Sequence, residues 1–186
     1  DVDCLSDGEE VHIAGVMQHI EPAGVHSGDS TAVLPPYDLS EEAIATIRQY
    51  VTDIAMRLGV VGLMNCQLAV QRRGDTETVY VIEANPRASR TVPFVAKATG
   101  VAVARIGAKL MLGETLETFR QSGELESSLE GFAVKEPVFS WDKFPEVTKE
   151  LGPEMKSTGE AIAFVDDITD EHISKPFEMR NLYLSR

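Results

Sequence analysis

The residues best suited to chemistry stand between positions 65 and 90. The string E-x-N-P-R-x-x-R, Glu83 to Arg90, places a carboxylate and an amide two residues apart at the end of a β-branched, apolar run. Side chains on a strand alternate between faces, so Glu83 and Asn85 point the same way, as do Asn65 and Gln67 in the run at 63–71. A hairpin register that sets Gln67 opposite Glu83 or Asn85 gives one sheet face a carboxylate and two amide oxygens, with Met64, Leu68, Tyr80 and Ile82 on the other. Hard oxygen ligands in small number are what Mg²⁺ accepts when substrate phosphates and water complete its shell. Spacing alone leaves open that Asn65 and Gln67 are solvated strand residues, and a one-residue slip turns Gln67 away from Glu83.

Directly after the carboxylate, Arg87 and Arg90 lie on a turn. Guanidinium groups match phosphate oxygens bidentately and stay charged at any working pH. A pair of them beside acidic metal ligands suits phosphoryl transfer, which depends on positioning and on neutralising charge on the moving group. Loop arginines are also commonly just solvated. His26, in G-V-H-S-G-D, is a third candidate, as a phosphate or substrate hydrogen-bonding group on a loop whose amides can approach an anion. A lone loop histidine is equally compatible with no role, and Asp29 with bonding its own turn. His12 and His19 are read as strand residues and His172 as part of the tail, with no function assigned. The absence of a Ser-His-Asp order, a CxxC or an HExxH leaves acyl-enzyme hydrolysis and zinc catalysis without residues.

The elements that must position these groups follow from pattern. Residues 11–20, apolar and β-branched with one glycine, suit a single strand buried on both faces, and 24–30 a loop of small residues closed by Pro35 and Pro36. Ser40 caps the clearest helix, Glu41 and Glu42 favour its positive end, and Ile44, Ile47, Val51, Ile54 and Leu58 form an apolar stripe that stops at Gly59. Strands at 63–71 and 78–84 read as an antiparallel pair joined through Gly74. Phe94 to Met111 reads as two helical pieces divided at Gly100 and stopped at Gly113. Residues 132–139 form a further strand, which Pro137 assigns to a sheet edge. The tail from Asp166 to Arg186 is polar and irregular, and no repeat or low-complexity tract is present.

The chain of 186 residues holds one sizeable domain or part of a larger one. Its apolar (43%) and charged (25%) fractions are those of a soluble globular protein. The net charge of −13 opposes non-specific nucleic-acid binding, so any phosphate must be held by a few placed cations and a metal. Cys4 and Cys66 are the only cysteines, and Cys66 sits in an apolar run as a buried thiol, in keeping with a reducing, cytoplasmic setting. No apolar stretch reaches a membrane span, and Asp1 follows no signal pattern, so the chain reads as a fragment of something longer.

At Glu83-Ala84-Asn85-Pro86-Arg87 the sequence resembles the ATP-grasp superfamily. The strings AGVHSGDS (23–30), GLMNCQLAV (62–70), VIEANPRASRTVPFVAKATGV (81–101) and LGPEMKSTGE (151–160) resemble the carbamoyl-phosphate synthetase large-subunit family up to about residue 160. RTVPFVAKATGV after the NPR motif is similar to the second of that subunit's two ATP-using halves. The resemblance implies an α+β fold, the C-terminal lobe of an ATP-grasp domain with a mainly antiparallel sheet and flanking helices, over 1–160, and a tail or boundary toward a regulatory domain over 161–186. It implies phosphorylation of carbamate by ATP to carbamoyl phosphate, within arginine and pyrimidine biosynthesis. By the same resemblance Gln67, Glu83 and Asn85 match Mg²⁺ or Mn²⁺ ligands, with Gln67 and Glu83 also serving the nucleotide; Gly24, Val25, His26 and Ser27 match a nucleotide-contacting loop; and Arg87 and Arg90 match catalytic arginines on the phosphate side. Glu21, Asp29 and Glu136 match an ornithine site that also needs the following domain. The implied partners are the rest of the large subunit, a glutaminase small subunit, carbamate and ATP, and no nucleic acid or membrane. With the upstream lobe of the nucleotide clamp outside this chain, the fragment is expected to be inactive alone. Biotin carboxylase or another carboxylate-amine ligase would share Glu83, Asn85 and Arg87, and a non-catalytic subunit-interaction module is a third reading; GVHSGDS and RTVPFVAKATGV favour the first family.

Overall fold

The computed structural model describes residues 1–168. Two four-stranded antiparallel sheets carry the chain. The first has the order β2-β1-β5-β6, from β1 (Val2–Asp7), β2 (Val11–Val16), β5 (Val61–Arg73) and β6 (Thr76–Asn85). The second has the order β3-β4-β7-β8, from β3 (Gln18–His19), β4 (Ala32–Leu34), β7 (Phe132–Val138) and β8 (Gly159–Val165).

The first sheet is covered on both faces. Along β1 the alternation sends Val2 and Cys4 toward α1 (Glu41–Leu58), where they join Ile47, Val51, Ala55, Met64 and Cys66. Leu5 faces the other way, into a core with Phe94, Val95, Val103, Ile106 and Leu110 from α2 (Val92–Thr99) and α3 (Val103–Met111), and with Leu116 and Phe119 from α4 (Leu116–Gln121). Gly107 lets α3 lie directly on β5, since a Cβ there would stand 2.8 Å from the Leu63 side chain. Burying Ile47 and Val51 stabilises the α1 seam by about 1.5–3 kcal/mol each.

The helix signals act as expected. Ser40 Oγ accepts from the Ala43 N–H at 3.1 Å, and Gly59 ends α1 in the left-handed region, at φ 61°. The stripe is narrower than the pattern suggested: Ala43, Ile47, Val51 and Ala55 are buried at strict fourth-residue spacing, Ile44 and Ile54 flank them, and Leu58 is 58% exposed. α2 and α3 are divided at Gly100.

Three expectations are corrected. The run 11–20 is two strands, because the buried Met17 marks where the chain leaves one sheet for the other, and β2 is an edge strand with a half-buried outer part. β7 is interior, flanked by β4 and β8; Pro137 is tolerated because β4 pairs only as far as Lys135. The expected boundary at residue 160 falls inside β8. β1, β4, α4 and β8 are additional to the elements read from sequence. The tail beyond Ile168, with His172, lies outside the described residues.

Candidate functional site: a cleft between the β5–β6 hairpin and the 24–30 loop

The hairpin register sets Gln67 opposite Glu83 and Asn65 opposite Asn85, the arrangement that places all four side chains at one end of one face. A bulge shifts the pairing between Gln67 and Leu68, so that Leu68 faces Val81 and Ala69 faces Tyr80. The bulge corrects the expected back face. Met64 and Leu68 pack toward α1, but Tyr80 is on the Gln67 and Gln71 side, 51% exposed, with its hydroxyl 3.5 Å from Gln71 Oε1. Ile82, the inserted residue, lines the cleft instead.

That cleft, about 190 Å³, is lined by Gly24, Val25, His26 and Ser27 on one side and by Asn65, Gln67, Ile82, Glu83 and Asn85 on the other, with Arg87, Ser89, Arg90 and Pro153 at its end. Every residue singled out for metal, nucleotide or phosphate contact therefore borders one space.

The hydrogen bonds orient the candidate ligands. Asn85 Nδ2 donates to Glu83 Oε1 at 2.9 Å, and Gln67 Nε2 donates to Asp1 Oδ2 at 3.3 Å. With both amide nitrogens committed, the amide oxygens of Asn85 and Gln67 are the atoms left for a ligand. One carboxylate with two amide oxygens is a hard-oxygen set that fits Mg²⁺ whose remaining positions are filled by phosphate and water. Among the described residues no group of three or more His, Cys, Asp or Glu side chains forms an all-protein cage. Arg87 donates from Nη1 to its neighbour Ala88 O at 3.1 Å, and among the described residues neither Arg87 nor Arg90 is ion-paired.

The 24–30 loop is held from outside itself. His26 N donates to Gly152 O at 2.8 Å, and His26 Nδ1 accepts from Gly28 N at 3.0 Å, which leaves Nε2 as the ring N–H free to donate to an anion. A Cβ at residue 28 would stand 3.1 Å from that Nδ1. Asp29 is buried and binds remote backbone: its carboxylate accepts from Lys156 N at 3.0 and 2.8 Å and from Ser157 N at 2.8 Å. Beneath the loop, buried Lys135 donates from Nζ to Ser27 O at 2.8 Å; burial lowers its pKa, against the raising influence of Glu160, Glu21 and Asp29. Glu21 accepts from Thr31 N at 2.7 Å, and Glu136 is buried beside Lys135 in β7.

Sequence reasoning missed the carboxylates at β1 that stand beside the candidate metal ligands. Asp1 and Asp3 lie on one side of β1 and receive Asn65 Nδ2, the bond to Asp3 Oδ1 being 2.8 Å, and Asp3 Oδ2 accepts from Thr91 Oγ1 at 2.6 Å. The signal available was the Asp-x-Asp alternation at 1–3, legible as strand only once β1 is recognised. Cys4 and Cys66 are buried free thiols, pushed up to about 12 and about 11 by burial, as inert core thiols should be.

Two antiparallel sheets, the first covered by helices on both faces, and an acid–amide hairpin end facing a glycine-containing loop give the fold of an ATP-grasp lobe. Solved structures share the architecture: an L-amino acid ligase from Bacillus licheniformis (TM-score 0.68, 17% identity, 97% of this chain and 51% of that one) and a multifunctional pyruvate carboxylase from Rhizobium etli (TM-score 0.64, 18% identity, 90% and 19%). At that identity they show the fold alone. Residues 1–119 match the family described as carbamoyl-phosphate synthase L chain, ATP binding domain, and the chain belongs to it. It is 52% identical over 162 residues to the carbamoyl phosphate synthase large chain of Ralstonia nicotianae, covering 87% of this chain, and 56% identical over 162 residues to that of Methanobrevibacter smithii, again covering 87%. The chain spans about 15% of the length of these curated relatives. Among the described residues no helix is long and apolar enough to cross a membrane.

Proposed function

We propose that this chain forms one wall of the ATP site that phosphorylates carbamate within a carbamoyl-phosphate synthetase large subunit, the second of its two ATP-using steps. The observation that carries the reading is the single cleft bordered by the 24–27 loop, the Gln67–Glu83–Asn85 face and Arg87 and Arg90. In the reaction a carbamate oxygen bonds to the γ-phosphorus of ATP as the bond from that phosphorus to the ADP oxygen breaks, and the products are carbamoyl phosphate and ADP.

When bound, Mg²⁺ or Mn²⁺ supplies charge neutralisation to the nucleotide phosphates, held by Glu83 and the amide oxygens of Gln67 and Asn85. Gly24, Val25, His26 and Ser27 hold the nucleotide from the facing side, His26 donating from Nε2. Among the described residues neither Arg87 nor Arg90 is ion-paired with a carboxylate, so their charge is available to the transferring group. The second-step assignment rests on the RTVPFVAKATGV continuation after Arg90. A structural module needs no two arginines beside a carboxylate that are left without an ion pair among the described residues, and this disfavours a non-catalytic role. The chain acts here as part of a larger ATP-grasp domain, with the rest of the large subunit and a glutaminase subunit as partners in a cytoplasmic biosynthetic enzyme; the 186-residue chain alone makes no carbamoyl phosphate.

The test is carbamoyl phosphate and ADP formation by the full-length chain with bicarbonate and ammonia, comparing the parent with Glu83→Gln and Arg87→Ala. Loss of product in both, while bicarbonate-dependent ATP turnover persists, supports carbamate phosphorylation at this cleft. Product at the parental rate in both variants rejects it.

A further inference from the structure

We infer that Asp3 and Thr91 are positioning residues for this cleft: the buried Asp3 carboxylate fixes the arginine turn through Thr91 and the metal face through Asn65. The inference rests on the ATP-site reading above and assigns it a support that lies outside the cleft lining.

Asp3 sits in β1, paired across the sheet with Asn65, and is 1% exposed. Its two oxygens serve different parts of the site. Oδ1 accepts from Asn65 Nδ2 at 2.8 Å, and Oδ2 accepts from Thr91 Oγ1 at 2.6 Å. Thr91 is fully buried and immediately follows Arg90; its backbone oxygen accepts from Val95 N at 3.0 Å, opening α2. Its hydroxyl also lies 2.8 Å from Ser89 Oγ, and its N–H donates to the same oxygen at 3.2 Å. The other bonds of the turn are local: Arg87 N to Asn85 O at 2.8 Å and Val92 N to Ser89 O at 3.4 Å. The Asp3–Thr91 bond is the long-range one, spanning 88 positions.

Among the described residues neither guanidinium group is ion-paired with a carboxylate, so their placement follows the backbone of this turn. Asn65 is in the same position. Its nitrogen is committed to Asp1, Val2 and Asp3, so the opposite end of the amide, the oxygen, is the part directed at the cleft it lines beside Asn85. Burying a carboxylate is costly, and a spacer that only packed between β1 and α2 would be cheaper as an apolar side chain. The two bonds to Asp3 are what the carboxylate adds.

The experiment uses the full-length chain with Thr91→Val, Thr91→Ser and Asp3→Asn, and Glu83→Gln as reference. Removing the hydroxyl in Thr91→Val is expected to lower kcat for carbamoyl phosphate by about ten- to hundredfold, with KM for ATP changed less than about threefold, because small misplacements of a charged group cost rate more than binding. Hydrogen exchange should quicken in the amides of 87–92 and stay at the parental rate in β5 and α1, and Thr91→Ser should restore both readouts. Asp3→Asn should show the same local signature more weakly, since a threonine hydroxyl can turn to accept. Thr91→Val at the parental kcat, Thr91→Ser as slow as Thr91→Val, or exchange quickened through the whole sheet would each overturn the inference. If Glu83→Gln keeps the parental rate, the ATP-site reading falls and this inference with it; if Glu83→Gln abolishes product while Thr91→Val does not slow it, only this inference falls.

Discussion

The two walls of the cleft are built differently. The hairpin wall is one ladder interrupted by a bulge: a regular count from the turn would set Gln67 opposite Ile82, and the bulge brings it opposite Glu83 and Asn65 opposite Asn85, so these groups are placed by partners within one hairpin. The loop wall has no ladder of its own. His26, Ser27 and Asp29 are placed by Gly152, Lys135, Lys156 and Ser157, partners more than 100 positions away. A wall of oxygen-bearing side chains within one hairpin therefore faces one whose position depends on how the second sheet and the 152–157 segment close beneath it. Under the proposed function, metal and phosphate chemistry would fall to the hairpin and nucleotide grip to the loop.

The sharpest test of that division is Glu83→Gln in the full-length chain, expected to lower kcat for carbamoyl phosphate by at least about a hundredfold, as losing a charge-stabilising group in a closed site does. Asp29→Asn should act on the other wall. Replacing one acceptor oxygen by a donor sets it against Lys156 N and Ser157 N, and a raised KM for ATP of about five- to tenfold, with kcat within about threefold, is the expected steady-state result. Should Asp29→Asn depress kcat as far as Glu83→Gln with KM unchanged, the division between the walls is broken.

A smaller effect separates the walls from the frame that carries them. His12, in β2, is kept below its ordinary value of 6.5 by burial and then by Arg120 and Arg48. Its folded-state pKa is depressed, so the unfolded chain takes up the proton first as pH falls through 6.5. Stability from this group is full above that value and lost below it. Hydrogen-exchange protection of β2 should fall between pH 7 and 5.5, and His12→Gln should flatten the dependence without altering either wall. The mildest expectation concerns α1. Ser40→Ala removes the cap on Ala43 N and the 2.5 Å bond to Glu77 Oε2, lowering protection of the first turn by about 1 kcal/mol with kinetics unchanged.

Part of the hairpin wall and of the helices is legible without coordinates, because strand alternation and helix capping are local rules: Ser40, Gly59, the shared face of Glu83 and Asn85 and the break at Gly100 follow from short-range geometry, whereas the Gln67–Glu83 pairing, open in the sequence, depends on the bulge. Where pattern and structure differ, the cause is non-local. Tyr80 lies on the face opposite to the one strict alternation gives because a bulge changes the count by one, and a bulge has no reliable mark in an apolar run. Pro137 alone points to a sheet edge, yet β7 is interior, because the residue only needs to lie past the end of a three-residue neighbour, a fact about β4 and not about β7. Periodicity gives one strand over 11–20 because it cannot show a chain changing sheets at Met17.

The sequence by itself determined the candidate site residues, the alternation of Glu83 and Asn85 on the hairpin and the family to which the chain belongs, since these are carried by residue identity and by short spacings. Only the tertiary structure decided that His26 and Ser27 would face Glu83 and Asn85, that Lys135 would lie buried under the loop, and that Asp3 would reach Thr91. Those contacts span 56 to 108 positions, and a pairing between distant residues is set by which surfaces can close together without leaving a buried polar group unmet, a property of the whole packing and of no segment within it.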